Sequence, residues 1–518
     1  MSVPLLQTPT QAADWLRVRV SVDLQGDSRL VKKGDGFLAW PGRRHDARKD
    51  LNQVFAQGAN ACVVEHLDGG NTLEAGTDLE KVAAYEQLKS ASGWIADAFY
   101  GHPSRSMSVI AVTGTNGKTS TTWWLSHALC ALNRPCATVG TLGLGRVELS
   151  DRAQQLSLRA EPGHDGLTTP DAIGLHRQLK RWLDEGVRAC AMEASSIGLS
   201  EHRLAGLRIH TAVFINLTPD HLDYHGSFEA YGQAKASLFD APDLQVAVIH
   251  VDDPFGRTLA NQLKAQRPEV DLWTVSSREA DSPEHAARVQ LVSAQMEGQD
   301  AKQHLVFGSQ GQVHELTTPL MGRFNIDNLL LVWAVLMAWG ESPQAVLHAI
   351  ESLRPVPGRM QRLGGEGLPH VVVDYAHTPD AVNKLLTEVN RLAAQTQGQV
   401  ITVLGCGGDR DAAKRPLMAQ HALALSHRFW LTSDNPRNED PQSIAQDMIK
   451  GLPHEAAGLT IELHRDQAIA AAIAQASPSD WVVIAGKGHE THQEIQGVRH
   501  PFSDVAHAAN ALQKWRRT

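Results

Sequence analysis

The chain has 518 residues, of which 42% are hydrophobic and 20% are charged, the proportions of an ordinary globular protein. This length exceeds what one hydrophobic core supports, and at about 150 residues per domain it suggests three domains. The 57 Asp and Glu residues outnumber the 48 Lys and Arg residues, which gives a formal charge of −9. Such a chain lacks the basic footprint of a nucleic-acid-binding protein, so we expect no nucleic-acid partner.

The first residues and the cysteines indicate where the protein works. The stretch "MSVPLLQTPTQAADWLRVRV" has no basic region followed by an apolar core, so we expect no signal peptide. No run approaches about 18 apolar residues, which argues against membrane insertion. The five cysteines form no C-x-x-C pair and fit buried thiols in a reducing compartment. We expect a soluble, cytoplasmic and monomeric protein.

The first segment, residues 1–105, mixes short apolar runs with polar turns. Its runs "GFLAW" and "ACVVE" are typical of buried strands, and we interpret the segment as a small α/β domain. The stretch "YGHPSRSMS" (100–108) interrupts regular structure with glycine and proline, which predicts a domain boundary there.

The second segment, residues 106–354, opens on a glycine-rich loop. An apolar run leads into "TGTNGKTS" (113–120), and a helical pattern follows with Trp124, Leu125, Ala128, Leu129 and Leu132 at three- and four-residue spacing. The loop is a phosphate-binding loop in which Val112 replaces the first glycine. Gly114 and Gly117 let backbone N–H groups approach phosphate oxygens at the positive end of a helix. Lys118 offers a cation to the phosphates and Thr119 a hydroxyl to Mg²⁺, so nucleotide binding is expected.

Strand-like runs continue through this segment as "RACAME", "TAVFINL" and "QVAVIHV", separated by helix-like stretches. This alternation predicts a parallel sheet with crossover helices, whose ligands lie at the carboxyl ends of the strands. Glu193 ends the first run and suits the Mg²⁺ of a nucleotide. His221 and His225 in "NLTPDHLDYHG" have the spacing of a zinc pair. The glutamate of H-E-x-x-H is missing and T-P-D argues against a helix, so a magnesium or hydrogen-bonding role is favoured.

The third segment, residues 355–518, repeats the α/β pattern after the proline-containing stretch "SLRPVPGRMQ" (352–361). Its strand-like runs are "HVVVDYA", "VITVLGCGG", "RFWLTSD" and "WVVIAGKG". The loop "SDNPRNED" contains a proline that fixes a turn. An arginine fork binds carboxylate and an aspartate pairs with ammonium, so this loop suits a zwitterionic amino acid. An exposed, salt-bridged turn accounts for the same residues equally well.

Nine short motifs follow one another along the chain: "GTNGKTS", "MEASS", "NLTPDHLDYHG", "GRFNIDN", "PGRM", "VVVDYAHTPDA", "GCGGDRDAAKRP", "DNPR" and "AGKGHE". Together and in this order they resemble the Mur ligase family, in which the short form of the phosphate loop is the usual one. The resemblance implies an α/β fold of three domains. These are a small UDP-substrate-binding domain (1–105), a central P-loop ATPase domain with a mostly parallel sheet (106–354), and a Rossmann-like domain for the incoming amino acid (355–518).

The same resemblance implies an ATP-dependent amide ligase of peptidoglycan synthesis. It would add meso-2,6-diaminopimelate to UDP-MurNAc-L-Ala-D-Glu, after ATP has activated the γ-carboxylate of the D-glutamate as an acyl phosphate. Both substrates besides ATP are small molecules, and Mg²⁺ is the implied metal. The protein would mainly supply positioning and charge neutralisation.

Residue by residue, the resemblance assigns ATP binding to Gly114, Thr115, Asn116, Gly117, Lys118, Thr119, Ser120, Asn325, Arg359 and Asp374. It assigns Mg²⁺ to Thr119, Glu193, His221 and Lys235, the last as an N-carboxylated (carbamylated) side chain. Without the resemblance Lys235 would be an ordinary surface lysine. The implied catalytic residues are Lys118, Glu193, His221 and Lys235.

The resemblance also assigns binding residues to the two remaining substrates. UDP-MurNAc-L-Ala-D-Glu is assigned to Ser28, Arg43, Arg44, His45, Asn116, Thr168, Thr169, Ser195, Glu201 and Arg203. Diaminopimelate is assigned to Arg410, Asp434, Asn435, Pro436, Arg437, Gly486 and Glu490. Arg437 would bind the carboxylate that distinguishes diaminopimelate from lysine, because a site built around such a pair rejects an analogue lacking the group.

Other functions share parts of this pattern. A lysine-adding ligase of the same kind, the next ligase of the pathway and a folylpolyglutamate synthetase would have the same ATPase core. The motif "DNPR" and the stretch "DSRLVKKGDGF" argue against all three. A nucleotide-binding protein with a decayed ligase site is a further alternative, and the presence of Lys118, Glu193, His221 and Lys235 argues against it.

Overall fold

The structure is a computed structural model that describes residues 3–42, 45–66, 77–149, 156–161, 167–279, 287–297, 302–453 and 456–515. Within these ranges the chain forms three large sheets, one after another along the sequence, and a two-stranded hairpin. Arg43 and Arg44, assigned above to the UDP-linked substrate, lie outside the described residues. None of the described helices is both long enough and apolar enough to cross a bilayer.

The first sheet is parallel throughout its described strands, which pair in the order β1-β5-β4-β3-β2. Its elements are β1 (Leu5–Leu6), α1 (Pro9–Arg17), β2 (Leu24–Gln25), β3 (Gly36–Ala39), α2 (Leu51–Ala56), β4 (Ala61–Glu65), β5 (Val82–Tyr85) and α3 (Leu88–Phe99). Leu38 and Val63 pack with α1 and α3, whereas Phe37 and Cys62 pack with α2 on the other face. This burial on both faces explains the unbroken apolar runs and confirms the predicted small α/β unit.

The second sheet contains the glycine-rich loop. Its strands are β6 (Ser108–Thr113), β7 (Cys136–Gly140), β8 (Gly143–Leu149), β9 (Leu156–Ala160), β10 (Ala189–Glu193), β11 (Ile209–Phe214), β12 (Val246–His250), β13 (Asp271–Ser276), β14 (Val289–Glu297), β15 (Lys302–Ser309) and β16 (Gln312–Thr318). They pair in the order β16-β15-β14-β13-β12-β11-β6-β10-β7-β8-β9. The strands from β14 to β7 are parallel, and antiparallel hairpins extend both edges.

Helices cover both faces of this sheet. They are α4 (Lys118–Ala131), α5 (Ala172–Asp184), α6 (Ser196–Ser200), α7 (Leu222–His225), α8 (Phe228–Ala236), α9 (Pro254–Gln266), α10 (Arg323–Ala338) and α11 (Pro343–Glu351). Ile110 packs in a core with Trp124 of α4 and Trp333 of α10, while its neighbour Val109 packs in the opposite core with Trp182 of α5. The central strands are therefore buried on both sides, as the apolar runs predict.

The third sheet follows the order β17-β18-β22-β19-β20-β21 and is parallel except for its edge strand β17. Its strands are β17 (Gln361–Gly364), β18 (His370–Asp374), β19 (Val400–Leu404), β20 (Arg428–Leu431), β21 (Leu459–Ile461) and β22 (Trp481–Ala485), and the hairpin consists of β23 (His492–Ile495) and β24 (Val498–Pro501). The helices are α12 (Pro379–Thr396), α13 (Lys414–Ala424), α14 (Pro441–Ile449), α15 (Arg465–Ala474) and α16 (Asp504–Trp515). The four predicted strands of this segment are confirmed.

Two details of the helices differ from the sequence-based prediction. Helix α4 ends at Ala131, so Leu132 caps the helix and is not part of it. A helical turn, α7, follows T-P-D, after His221 in the left-handed conformation with φ 53°. The proline disfavours helical geometry only in the residue before it, and so it does not prevent a turn three residues later.

A buried ion pair joins helices α15 and α16 to the carboxyl edge of the third sheet. The Arg465 guanidinium donates to both carboxylate oxygens of Asp504, at 2.8 and 2.7 Å, and both side chains are fully buried. The same guanidinium donates to the carbonyl of Ala485 (2.9 Å), which ends β22, and to the carbonyl of Ser433 (3.3 Å), which follows β20. The pair therefore fixes two strand ends that border the loop at 434–437.

Removal of Asp504 would leave the Arg465 charge buried without its partner. We expect Asp504→Ala to lower the free energy of unfolding of segment 355–518 by about 3–5 kcal/mol, the usual cost of breaking a buried pair. Asp466→Ala is the matched control, since Asp466 is exposed in the first turn of α15 and a dipole contact there is worth about 1 kcal/mol at most. Denaturant unfolding of both full-length variants measures the difference, and equal losses would contradict this role.

Candidate active site

The glycine-rich loop connects β6 to α4 at the centre of the second sheet. Gly117 precedes the helix with φ 89°, and a Cβ there would lie 2.5 Å from Oδ1 of Asn328. The position therefore requires glycine on two grounds, backbone conformation and space. The Lys118 ammonium folds back over the loop and donates to the carbonyls of Gly114 (2.8 Å) and Thr115 (2.9 Å). Burial lowers the pKa of Lys118, although the negative charges of Glu193 and Asp220 oppose this shift.

The neighbouring strand β11 fixes the shape of the loop through Asn216, which the sequence analysis did not single out. The backbone N–H of Asn116 donates to Oδ1 of Asn216 (2.9 Å), and the N–H of Thr115 donates to the Asn216 carbonyl (2.9 Å). The Thr115 hydroxyl also donates to the carbonyl of Thr218 (3.0 Å). Two strand ends thus hold one loop rigidly, and a polar residue after an apolar strand was the available signal for Asn216.

Lys235 on α8 is a buried lysine, not the surface residue that its sequence context suggests. Its ammonium donates to the Gly114 carbonyl (2.8 Å) and lies 4.4 Å from the ring centroid of Tyr231. Burial lowers the pKa of Lys235 well below its ordinary value, and the nearby charge of Lys118 lowers it further. The structure therefore brings two ammonium groups to one carbonyl of the glycine-rich loop.

Glu193 and His221 lie near these two lysines. Both carboxylate oxygens of Glu193 accept hydrogen bonds from Thr141, Oε1 from its N–H (2.7 Å) and Oε2 from its hydroxyl (3.2 Å). Glu193 is buried at the end of β10, as predicted. Burial lowers the pKa of His221, and the charges of Lys118 and Lys235 lower it further. The four predicted catalytic residues thus share one electrostatic environment.

Residues of the third segment reach the glycine-rich loop. Nη2 of Arg359 donates to the Thr119 hydroxyl (3.0 Å), and the guanidinium lies 4.3 Å from the ring centroid of Tyr375. Nδ2 of Asn116 donates to Oδ2 of Asp380 on α12 (3.2 Å). These contacts place the predicted ATP residues of the second and third sheets side by side.

Two of the three remaining predicted ATP residues serve the local fold in this structure. Both oxygens of Asp374 accept backbone N–H groups, from Met360 (2.7 Å) and Ala376 (2.8 Å), and burial raises the pKa of this carboxyl. Nδ2 of Asn325 donates to the Met321 carbonyl (2.6 Å) at the start of α10. Ser120 is buried in the first turn of α4.

The predicted UDP-substrate residues fall into two groups. One group lies beside β10 and consists of Thr168, Thr169, Ser195 and Arg203. The Thr169 hydroxyl donates to the Glu193 carbonyl (2.8 Å) and accepts from the N–H of Ser195 (3.1 Å). Arg203 donates to the Thr169 carbonyl (2.8 Å), and the hydroxyls of Thr168 and Thr141 are 3.3 Å apart. Glu201 is nearby, bonded to Tyr224 (2.5 Å) and paired with Lys89 of α3. Ser28 lies in a 3-10 turn (Ser28–Leu30) of the first segment, and His45 contacts Asp50 (2.8 Å).

The turn at 434–437 follows β20, as predicted, and is held by the hairpin β23–β24. Arg437 has φ 53°, and its N–H donates to the Glu494 carbonyl (3.0 Å). Its Nη1 donates to the Gly408 carbonyl (2.7 Å), and its Nε lies 3.7 Å from a carboxylate oxygen of Glu494. Within the described residues Nη2 of Arg437 donates no hydrogen bond. The guanidinium is therefore fixed on one side and available on the other.

Two residues of this turn, Asp434 and Asn435, form a polar set with Lys487 and Glu490, which we call the Lys487 cluster. The Lys487 ammonium donates to Oδ1 of Asn435 and to Oε2 of Glu490, both at 2.9 Å, and lies 3.7 Å from Asp434. A Cβ at Gly486, where φ is 113°, would collide with Oδ2 of Asp434. The sequence analysis did not single out Lys487, which lies two residues after the end of β22.

Arg410 is separate from this cluster. It is exposed, and among the described residues its guanidinium contacts the carbonyl of its neighbour Asp409 at 3.5 Å. The structure thus assembles most of the predicted amino-acid residues and leaves Arg410 at the rim.

Comparisons with known proteins agree with the site. Residues 112–336 match the Mur ligase middle domain, and residues 358–488 match the domain described as "Mur ligase, glutamate ligase domain". A protein of Acidovorax sp. (strain JS42), named UDP-N-acetylmuramoyl-L-alanyl-D-glutamate--2,6-diaminopimelate ligase, is 46% identical over 98% of this chain and 97% of its own length. A Janthinobacterium sp. (strain Marseille) protein of the same name is 40% identical over 99% of this chain and 98% of its own.

Solved structures give the same result. A structure of a UDP-N-acetylmuramoyl-L-alanyl-D-glutamate--2,6-diaminopimelate ligase superposes with a TM-score of 0.64 at 33% identity, over 96% of this chain and 95% of that chain. The MurF ligase from Thermotoga maritima in complex with ADP shares the fold, with a TM-score of 0.61 at 16% identity over 97% of this chain and 99% of that chain. The chain therefore belongs to the Mur ligase family.

Proposed function

We propose that this chain is an ATP-dependent ligase that joins meso-2,6-diaminopimelate to the D-glutamate carboxylate of UDP-MurNAc-L-Ala-D-Glu. The observation that carries the proposal is that one chain, related to enzymes of that name, contains both a glycine-rich loop at Lys118 and a turn suited to an amino acid at Arg437. We further infer that segments 1–105, 106–354 and 355–518 act as domains for the UDP-linked substrate, ATP and the amino acid.

The first chemical step would take place at the glycine-rich loop. A carboxylate oxygen of D-glutamate attacks the γ-phosphorus of ATP, the bond to the bridging oxygen breaks, and an acyl phosphate and ADP result. The loop N–H groups and the positive end of α4 bind the phosphates. Lys118 would exchange its two carbonyl partners for phosphate oxygens, and Arg359, now on Thr119, would add a second cation.

Mg²⁺ fits the donors that this site offers. In the described part of the chain no three His, Cys, Asp or Glu side chains converge on one point. The Glu193 carboxylate and the Thr119 hydroxyl offer oxygen ligands, and Mg²⁺ usually keeps several waters and uses one or two carboxylates together with substrate phosphates. Thr119, Glu193, His221 and a carbamylated Lys235 would hold it. When bound it would neutralise phosphate charge.

The second step would form the amide at the edge of the third sheet. The amine nitrogen of diaminopimelate attacks the acyl carbon, loses a proton, and phosphate leaves. Arg437 would hold the distal carboxylate through its free Nη2, because guanidinium and carboxylate form a charge-assisted pair. Asp434 and Glu490, with Asn435 between them, would face the ammonium groups.

Phosphate release from ATP tests the whole proposal. With UDP-MurNAc-L-Ala-D-Glu present we expect rapid release with diaminopimelate and little with L-lysine or without an amino acid. Lys118→Met should abolish it, whereas Lys264→Met, an exposed lysine on α9, should not. Release that is indifferent to the UDP-linked dipeptide would indicate an unrelated ATPase.

Arg437 should determine which amino acid is accepted. In Arg437→Ala the distal carboxylate of diaminopimelate would have no guanidinium partner, so the variant should lose most of its preference for diaminopimelate over L-lysine. Sites built around such a pair discriminate by about 10⁴-fold. Competition between the two amino acids, read as the ratio of kcat/KM values, measures it. Arg428→Ala is the control, because Arg428 begins β20 at the opposite end of that strand. An Arg437→Ala enzyme with the parental preference would refute the assignment.

Carbamylation of Lys235 should make the enzyme depend on carbon dioxide. Burial and the charge of Lys118 lower the pKa of Lys235, which favours the neutral amine that reacts with CO₂, and the carbamate product places an anion near Lys118. We expect ligase activity to fall in CO₂-free buffer and to recover with bicarbonate, and ¹³C-bicarbonate to give a carbamate NMR signal that Lys235→Gln lacks. Full activity without bicarbonate, and no carbamate signal, would contradict this.

A further inference from the structure

Lys487 is a fully buried lysine that the mechanism above does not use. Its exposed fraction is 0%, and lysines are almost never completely buried unless they are paired. Its partners are Asn435 and Glu490, both at 2.9 Å, and Asp434 at 3.7 Å. All three partners belong to the pocket that we assign to the incoming amino acid. Lys487 itself is covered by them and has no open side for a substrate.

The contacts of Lys487 fix the orientation of the side chains around it. Oδ1 of Asn435 accepts from Lys487 and from the N–H of Glu494 (2.9 Å), and both of these groups can only donate. The amide therefore cannot flip, and its Nδ2 must donate to Oε2 of Glu490, at 2.7 Å. Oε2 of Glu490 accepts from two donors, whereas no hydrogen bond to the other carboxylate oxygen is formed among the described residues.

Lys487 also sets the net charge of the cluster. Two carboxylates, Asp434 and Glu490, and one ammonium give the Lys487 cluster a net charge of −1, and loss of the ammonium would make it −2. Diaminopimelate carries two ammonium and two carboxylate groups and is neutral overall, whereas lysine carries a net charge of +1. In a buried site a change of one unit charge is weakly screened, so it alters the relative binding of these two molecules.

We propose that Lys487 is a positioning and specificity-determining residue, which orients Asn435 and Glu490 and sets the pocket charge that favours a neutral double zwitterion over a cationic amino acid. The proposal rests on the proposed function above. It differs from the role of Arg437, which contacts the extra carboxylate, because Lys487 acts on both amino acids through the charge of the pocket.

Substitutions at Lys487 separate charge from mere structural support. We expect Lys487→Gln to lower the ratio of kcat/KM for diaminopimelate to that for L-lysine by about tenfold or more, as expected for one unit charge at close range. Lys487→Arg keeps the charge and should keep the ratio, even if both rates fall. KM for ATP should not change in either variant. Lys450→Gln is the matched control, since Lys450 is an exposed lysine of the same segment paired with Asp447.

The outcomes distinguish this proposal from the proposed function. A parental enzyme that does not prefer diaminopimelate would refute the proposed function. An unchanged ratio of the two kcat/KM values in folded Lys487→Gln would refute only the role of Lys487. An equal fall of the ratio in Lys487→Arg would show that geometry, and not charge, matters. Should Lys487→Gln fail to fold, Lys487→Met, which removes the charge and keeps most of the side-chain length, replaces it. It should show the same tenfold loss, and a folded Lys487→Met enzyme with the parental ratio would overturn the proposal.

Discussion

The parallel pairing of β6 with its two neighbours is the constraint on which the site depends. Val112 pairs with Glu193 of β10, and Thr113 pairs with Phe214 of β11. This register brings the loop that begins at Gly114, the carboxylate of Glu193 and the loop at Asn216 to one edge of the sheet. None of these positions is close to another in sequence. A shift of the register by one residue would turn each side chain to the other face and separate the groups.

The same edge of the sheet concentrates positive charge, with Glu193 and Asp220 as nearby anions. Lys118 and Lys235 both donate to the Gly114 carbonyl, and the charge of Lys118 lowers the pKa of Lys235. Burial lowers the pKa of Lys118, and the charges of Glu193 and Asp220 offset only part of this shift. An arriving polyphosphate would supply the missing negative charge, and so the cost of burying two lysines is recovered when the nucleotide binds. Carbamylation of Lys235 would divide the pair into one cation and one anion, the combination that also suits a metal ion.

Much of the fold could be predicted from the sequence, because the central strands are buried on both faces and read as unbroken apolar runs. Glu193 at the end of β10 and Lys118 at the start of α4 were predicted for the same reason, since their places follow from the strand before them. Lys487 was missed because its partner Asn435 is distant in sequence, and no local pattern reports such a contact. Nor could the sequence show that Lys235 is buried, because the Gly114 carbonyl to which it donates is 121 residues away along the chain.

The central claim is that ATP activates a substrate carboxylate at this edge, and oxygen transfer tests it directly. If the D-glutamate carboxylate of UDP-MurNAc-L-Ala-D-Glu carries ¹⁸O, an acyl phosphate passes one labelled oxygen to phosphate for each amide bond formed. Mass spectrometry of the phosphate released during turnover with diaminopimelate should therefore find one ¹⁸O per molecule. Phosphate that carries no label while the amide product accumulates would contradict the account.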